Sequence, residues 1–413
     1  MSLNIAISGL NATNQQLDTI SNNIANVSTT GFKESRTEFA SIYSGGQAGG
    51  VEVSGITQNF DSNGSLEGTG RALDLAISGN GFFSTVDSKG EQVYTRSGSF
   101  STDKDNVIIS SAGNKLQGYT VDANANLQQG NIGDLAISNA SLSAKETDSI
   151  GFTANFDARA EIIDTTTKLF ASDDPTSFTS SYTTQVFDSL GKSHTVSQYF
   201  INTGSNQWDV KVVADGGDVT PGAIAVPATS TTAAIPATTP VVNFTSEGVL
   251  ATTPAISVEI PALGANLMSV EIDLTGSTQY GADFGVSTNN PNGYSSGELT
   301  GIRIEDNGMI YGQFTNGQSQ LQGQLILADF PNPTALTQSN NTSWMQSFAS
   351  GTPVTGVPGS GVLGELTSSS LESSNVDLTG ELVSLMTAQR NYQANTKIIS
   401  TSDQLTQVLF NAV

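Results

Sequence analysis

The chain contains no cysteine, which removes disulfides and thiolate metal sites. It contains one histidine, His194, so a Ser-His-Asp set would need distant partners without a local signature. No run of 18 apolar residues occurs, which excludes a membrane-spanning helix. Charged residues make up 13%, about half the usual share. Basic residues are scarcest: 15 against 38 acidic ones give a net charge of −23. Nucleic acid and anionic membrane surfaces are poor partners for such a chain, because phosphate binding needs clustered Lys and Arg. The start, Met-Ser-Leu-Asn-Ile, has no basic residues before an apolar core and does not read as a secretory signal peptide.

What is abundant is Gly, 42 of 413 residues, along with Ser, Thr and Asn, a balance suited to β-rich extracellular proteins. The length suggests two to four domains. The charge is uneven. Residues 146–282 hold 15 acids and 4 bases, a net −11, whereas residues 1–33 hold only Asp18 and Lys33. The N-terminal segment is thus nearly free of the repulsion that keeps the middle soluble.

Two segments carry helical periodicity. In residues 3–27 Leu3, Leu10, Leu17 and Ile24 recur every seven residues, with Ala6, Thr13, Ile20 and Val27 as a second row. In residues 371–409 the row is Leu371, Leu378, Leu385, Tyr392 and Ile399, with Leu382 four after Leu378 and Leu405 further on. Two such stripes suit a pair of helices that bury one seam. The first helix should be roughly 38 Å long and stop at Ser28-Thr29-Thr30-Gly31, where Gly fits a left-handed C-terminal position. A lone helix of this kind is marginal in water. Both ends are therefore expected to be mobile in a monomer and ordered in a polymer.

Between the ends the pattern is β. Residues 34–70, broken by Gly45-Gly46, Gly49-Gly50, Asn63-Gly64 and Gly68-Thr69-Gly70, read as an irregular connector with short strands. Leu73, Leu75 and Ile77 alternate, Asn80-Gly81 suggests a tight turn, and Phe82-Phe83 suggest its return strand. Residues 71–145 and 283–360 read as two halves of a middle β domain, with the acidic 146–282 block inserted between them. Pro221, Pro227, Pro236, Pro240, Pro254 and Pro261 exclude long helices and central strands from their part of that block. Residues 361–413 then form a linker and the closing helix.

Candidate chemistry is weak. Gly79-Asn80-Gly81 lacks the later glycine of a nucleotide loop. Asp122-Ala123-Asn124-Ala125-Asn126 opens like a calcium loop, but Leu127 and Gly133 stand where Gly and Glu are required. His194 reads as a partly exposed residue of a strand. Trp208 and Trp344 stand in unrelated contexts, which speaks against an aromatic-lined carbohydrate site. No enzyme, cofactor or metal is expected.

Two long motifs carry a resemblance. Ser8-Gly9-Leu10, Asp18-Thr19-Ile20-Ser21-Asn22-Asn23-Ile24-Ala25-Asn26 and Thr30-Gly31-Phe32-Lys33 resemble the N-terminal motif of bacterial flagellar rod and hook axial proteins. Ser374-Asn375-Val376-Asp377-Leu378, Glu381-Leu382-Val383 and Ala388-Gln389-Arg390-Asn391-Tyr392-Gln393 resemble its C-terminal partner. The resemblance continues through 75–83 and 94–100, and the inserted block favours the hook family over the shorter rod proteins. It implies a mainly β, nested out-and-back architecture, with the terminal helices paired in a coiled-coil inner domain and the two β domains progressively outward. It also implies a structural subunit of a curved hollow tube that transmits motor torque as a universal joint. The alternative is a distal-rod-like axial protein. The implied partners are further hook subunits, a hook cap, the distal rod protein, a hook-filament junction protein and the flagellar type III export apparatus, with no nucleic acid and no membrane insertion. Location would be the extracellular hook and basal body. The amides of Asn22, Asn23 and Asn26 would bond to neighbouring subunits, Gly31 would turn the chain out of the helix, and Phe32 would anchor it. Lys33, Gln389, Arg390 and Tyr392 would join the polymer core.

Overall fold

The computed structural model describes residues 2–44, 47–215, 217–219, 240–252, 256–260 and 266–411. The proline-rich expectation at Pro221, Pro227, Pro236, Pro254 and Pro261 lies outside them. Pro240 directly precedes a strand, Val241–Phe244. The protein is mainly β, with two long helices among the described residues, α1 (Ser2–Ala25) and α2 (Leu378–Asn411). No helix among the described residues is long and apolar enough to cross a membrane.

The chain divides into two compact units. The first comprises Met1–Asn139, Thr300–Gln313 and Ser319–Val413, the second Ala140–Leu299 and Phe314–Gln318. Residues 283–299, expected with the middle domain, belong to the second unit. Strand Gly285–Pro291 pairs antiparallel with Ser149–Asp157, which fixes them there.

In the first unit α1 and α2 run antiparallel. Gly9 lies against Asn395 and Asn23 bonds to Glu381, fourteen residues apart on both helices. Asp377 starts α2: its Oδ1 accepts from the Thr379 N–H at 3.0 Å, and its carbonyl accepts from the Glu381 N–H at 2.9 Å. The expected helix from 371 therefore begins seven residues later. Leu371 sits in strand Ser370–Glu372, paired with Leu66–Gly68.

The connector expected to be irregular is a long hairpin, β1 (Ser35–Ser44) and β2 (Gln47–Gln58), which packs on α1. Thr19 shares a hydrogen bond with Thr37 at 2.9 Å, and Ser8 Oγ accepts from Val51 N–H at 3.2 Å. Gly49 and Gly55 lie at its two register shifts, and Gly50 at a close approach to α1. A Cβ on Gly50 would fall 2.1 Å from Ser8 Oγ.

The first unit's main sheet encloses a cluster of Phe60, Phe82, Tyr94, Phe330 and Trp344, largely edge-to-face. Trp344 Nε1 donates to Gln58 Oε1 at 2.6 Å and so ties the end of β2 to this core. The expected hairpin around Asn80-Gly81 is absent. Leu75–Ser78 pairs with Glu365–Ser368, while Phe82–Val86 pairs with Gln92–Thr95 in another sheet. Gly364 N–H bonds to Asn80 carbonyl at 2.8 Å, so the returning chain occupies the place a partner strand would take.

Among the described residues the second unit is built from two sheets around one core of Phe152, Phe156, Phe200, Trp208, Phe244 and many Val and Ile side chains. Its strands alternate as half-buried strands must, for instance Met268–Asp273, buried at every second residue.

Candidate functional site

The site of most physical interest is the place in the first unit where the two ends of the chain converge on the β core. Gly31, at φ +69°, leaves α1's exit turn, and its N–H donates to the Glu372 carbonyl at 2.8 Å. A Cβ here would lie 2.5 Å from Ser97 N and 2.6 Å from the Arg96 carbonyl carbon, so both conformation and space demand glycine. Two residues on, Lys33 is fully buried. Its Nζ donates to Glu372 Oε1 at 2.9 Å, Ser62 carbonyl at 2.9 Å and Asn63 Oδ1 at 3.1 Å. Glu372 Oε2 also accepts from Arg96 Nη1 at 3.3 Å, and Arg96 Nη2 reaches the Gly79 carbonyl at 2.9 Å. Arg96 lies over the Phe82 ring, 5.3 Å from its centroid.

These three ionic side chains are 0%, 1% and 2% exposed. Two cations face one carboxylate. Burial pulls the Lys33 ammonium below its ordinary value, the Glu372 charge opposes that pull, and the Arg96 charge adds to it. Burial likewise lowers Arg96. Asn375 completes the junction: its Oδ1 accepts from Glu34 N–H at 2.7 Å, and its Nδ2 donates to the Asn59 and Ser62 carbonyls, both at 3.0 Å.

Along the helix pair, Asn23 is buried and uses its whole amide inside the chain. Nδ2 donates to Ser35 carbonyl and to Glu381 Oε1, both at 2.8 Å, and Oδ1 accepts from Ser35 N–H at 2.9 Å. Burial, with Glu34 and Asp377 nearby, raises the Glu381 carboxyl. Asn26 bonds back to Asn22 carbonyl at 2.9 Å. Of the three amides expected to reach neighbouring molecules, Asn22 is the exposed one.

The other expected positions divide by face. Ile20 is buried; Leu10, Leu17, Ile24, Thr30 and Phe32 are half-buried. Leu3 lies in α1, its side chain outside the described residues. On α2, Leu385, Tyr392 and Ile399 are half-buried toward the seam, while Leu378, Leu382, Gln389 and Arg390 are exposed. Leu405 is 66% exposed and Val408 65%. The antiparallel register puts residue 2 opposite 402, so the last turns of α2 project beyond the start of α1.

Glu372 escaped the sequence reading altogether, and Arg96 entered only as part of a resemblance. A lone carboxylate between Leu371 and Ser373 carries no local signal; only the pairing of the two ends reveals its partner. In the second unit His194 is 3% exposed, not partly exposed as expected. Its Nδ1 lies 2.6 Å from Asp215 Oδ2 and its Nε2 3.2 Å from Asp188 Oδ2. Both tryptophans are buried, so neither lines an open site.

Comparison with known proteins agrees with this layout. Residues 3–33 match the "Flagella basal body rod protein" family model, and residues 76–142 the "Flagellar hook protein FlgE/F/G D1 domain". Residues 155–294 match the "Flagellar basal body protein FlaE D2 domain", and 367–412 the "Flagellar basal body rod FlgEFG protein C-terminal" model. The chain is 37% identical over 417 residues to the flagellar hook protein FlgE of Salmonella typhimurium, covering 100% of both chains. The chain belongs to the flagellar hook protein family. The Escherichia coli hook protein is 38% identical over 418 residues, again with 100% of both covered. The crystal structure of Helicobacter pylori hook protein FlgE2 shares the fold: TM-score 0.55 at 12% identity, covering 74% of this chain and 100% of that one. Within the basal body rod model at 3–33 lie Gly31 and Lys33, and within the C-terminal model at 367–412 lie Glu372 and Asn375. The buried junction therefore joins the two matched end segments.

Proposed function

We propose that this chain, a structural subunit of the flagellar hook, polymerises through its terminal helices and hairpin into a curved hollow tube that acts as a universal joint between rod and filament. The observation that carries this reading is the outer face of the helix pair. Leu382, Val383, Met386 and Ile398 are 46–55% exposed on α2, Ile5 and Ile7 are 40% and 43% exposed on α1, and the overhanging Leu405 and Val408 are more exposed still. The flanking β1–β2 hairpin adds Phe39 and Tyr43. Aliphatic side chains in this density on one helix pair call for a cover, and copies of the same chain supply it. In this reading the antiparallel pair forms a coiled-coil element lining the channel. Lys33 and Asn23 hold it to the hairpin and β core of their own subunit. Gln389, Arg390 and Asn22 remain on the surface for neighbours. A hook cap, the distal rod protein, a junction protein and the type III export apparatus are the further partners of such a tube.

Purified full-length chain polymerised in salt and viewed by electron microscopy tests the proposal. Curved tubes are expected. Straight, rigid polymers would favour a distal-rod-like role, and a monomer that never polymerises would contradict both.

A further inference from the structure

The buried junction holds the parts of a chemical reaction that a structural role does not require. Lys33 Nζ lies within 3.1 Å of the Asn63 side-chain oxygen and 2.9 Å from Glu372 Oε1. Arg96 Nη1 approaches the same Asn63 oxygen at 3.5 Å. The Asn63 Nδ2 is held separately, by the Gly79 carbonyl at 3.2 Å. The Lys33 amine thus touches both a carboxamide oxygen and a carboxylate, and the Arg96 guanidinium reaches the same amide oxygen. The amine and carboxylate are cut off from water, while Asn63 itself remains open to solvent on its outer side.

We propose that Lys33 and Asn63 form an intramolecular isopeptide bond in the folded chain, with Glu372 as the proton carrier. Glu372 Oε1 takes one proton from the Lys33 ammonium, which frees the nitrogen lone pair to attack Asn63 Cγ. Charge gathers on Oδ1 beside the Arg96 guanidinium, a fixed positive group in a dry setting. Glu372 passes its proton to Nδ2, the Cγ–Nδ2 bond breaks, and the ammonia released takes the second proton from the new amide nitrogen, again by way of Glu372, before it departs through the open side of Asn63. Of the three ammonium protons, one stays on the new amide nitrogen and two leave with the former carboxamide NH2 as ammonium. Glu372 ends as the carboxylate it was, and no oxidant or second reactant is needed. Burial favours the first step, since it disfavours an ammonium that already faces a second cation. Proximity favours the second, since the groups are held by the fold.

The consequence lies at the foot of the hairpin. Lys33 and Asn63 flank the first pair of the β1–β2 ladder, Ser35 opposite Gln58. Asn375 pins the loop from Asn59 to Ser62 that leads to Asn63. A bond between Lys33 and Asn63 closes this hairpin covalently, and a pull on α1 then passes to the β core through a bond instead of through an ion pair. This inference goes beyond the assembly proposal and does not depend on it.

Peptide mapping of folded, full-length protein tests it, both as monomer and after polymerisation in salt. The intact mass should be lower by one ammonia. Trypsin should fail to cut after Lys33 and should yield a branched peptide joining Lys33 to Asn63. Asn63→Ala, which leaves the Lys33–Glu372 pair in place, should restore the full mass and cutting after Lys33. A succinimide at Asn63-Gly64 loses the same mass, but it gives a linear peptide with normal cutting at Lys33, and that result would overturn the proposal. An unmodified wild-type mass in both preparations would overturn it equally. Failure to form tubes would leave this readout untouched.

Discussion

Lys33, Glu372 and Arg96 show how few side chains connect the ends of this chain to its β core. Where two cations share one carboxylate away from water, removing the carboxylate is worse than removing either cation, because it leaves like charges buried and uncompensated. In an Asn63→Ala, Trp208→Phe background Lys33 stays a free ammonium, and the fluorescence of Trp344 reports the first unit alone. Denaturant unfolding there should show Glu372→Gln costing about 3–5 kcal/mol. Lys33→Met should cost about 1–3 kcal/mol, because Arg96 still faces the carboxylate. The reverse order would mean that Glu372 does not neutralise the pair. None of this could be read from residues 365–376, where Glu372 stands in a serine-rich stretch. Gly31 was legible as a turn former, but the backbone of Arg96 and Ser97 that forbids a side chain there was not. In the second unit, His194 between Asp188 and Asp215 predicts a pH dependence. The hydrogen bond to Asp215, then that to Asp188, hold the imidazole above its ordinary value. A raised folded value contributes stability below about pH 6.5, lost as pH rises through the raised value. Backbone and histidine hydrogen bonds keep both aspartates below their ordinary range against burial, so their contribution disappears only as pH falls below about 3.9. Melting followed at Trp208 in a Trp344→Phe background should therefore be steepest to alkali above neutrality. His194→Asn should flatten that alkaline limb and weaken the acid limb, leaving the part that the backbone hydrogen bonds to Asp188 and Asp215 supply. An unchanged alkaline limb would show that the histidine carries no such linkage.

At the level of elements, seven-residue periodicity found both helices and missed which face does what. On α2 the buried or half-buried positions are Glu381, Leu385, Ala388, Tyr392, Asn395, Ile399 and Ser402, an unbroken alternation of four and three. That seam is half polar because it meets Gly9, Thr13 and Asn23, which offer little apolar surface and several hydrogen-bonding groups. Leu378 and Leu382, chosen for their hydrophobicity, fall outside it. On α1 the row Ala6, Thr13 and Ile20 is buried, whereas the more apolar row of Leu10, Leu17 and Ile24 is half-buried. Hydropathy marks what wants cover; only the register says what is already covered within the chain. The same reasoning explains the hairpin, where Gly49-Gly50 reads as a break in a connector although it sits at a bulge within the paired β1–β2 ladder. The uncovered positions make a prediction. Leu382→Ser with Met386→Ser should shift the stability of the monomer by no more than about 0.5 kcal/mol. If each side chain is buried between subunits, the critical concentration for polymerisation should rise about tenfold or more. Sedimentation across a concentration series measures this. Normal polymerisation by the double variant would move the contact to another face.

The whole molecule joins an unevenly charged chain to a division of labour. Residues 1–33 carry one charge of each sign, and the exposed apolar side chains of the helix pair lie in the first unit, which starts and ends the chain. The acidic second unit, 140–299 with 314–318, has its own core, and among the described residues its two sheets are its own and its principal strand Ser149–Asp157 pairs only with strands of that unit. A unit that completes its core from its own strands is removable without opening the other. Assembly that depends on the helix pair should therefore survive its loss, while the geometry of contact between neighbouring subunits should change. Replacing 140–299 by a short Gly/Ser linker should leave a chain whose first unit still melts cooperatively and still polymerises. Negative-stain images of those polymers should show tubes of altered curvature or stiffness. Wild-type curvature would assign bending to the first unit alone. Loss of all polymer, with the first unit still folded, would show that second-unit contacts drive assembly, contrary to a helix-led tube.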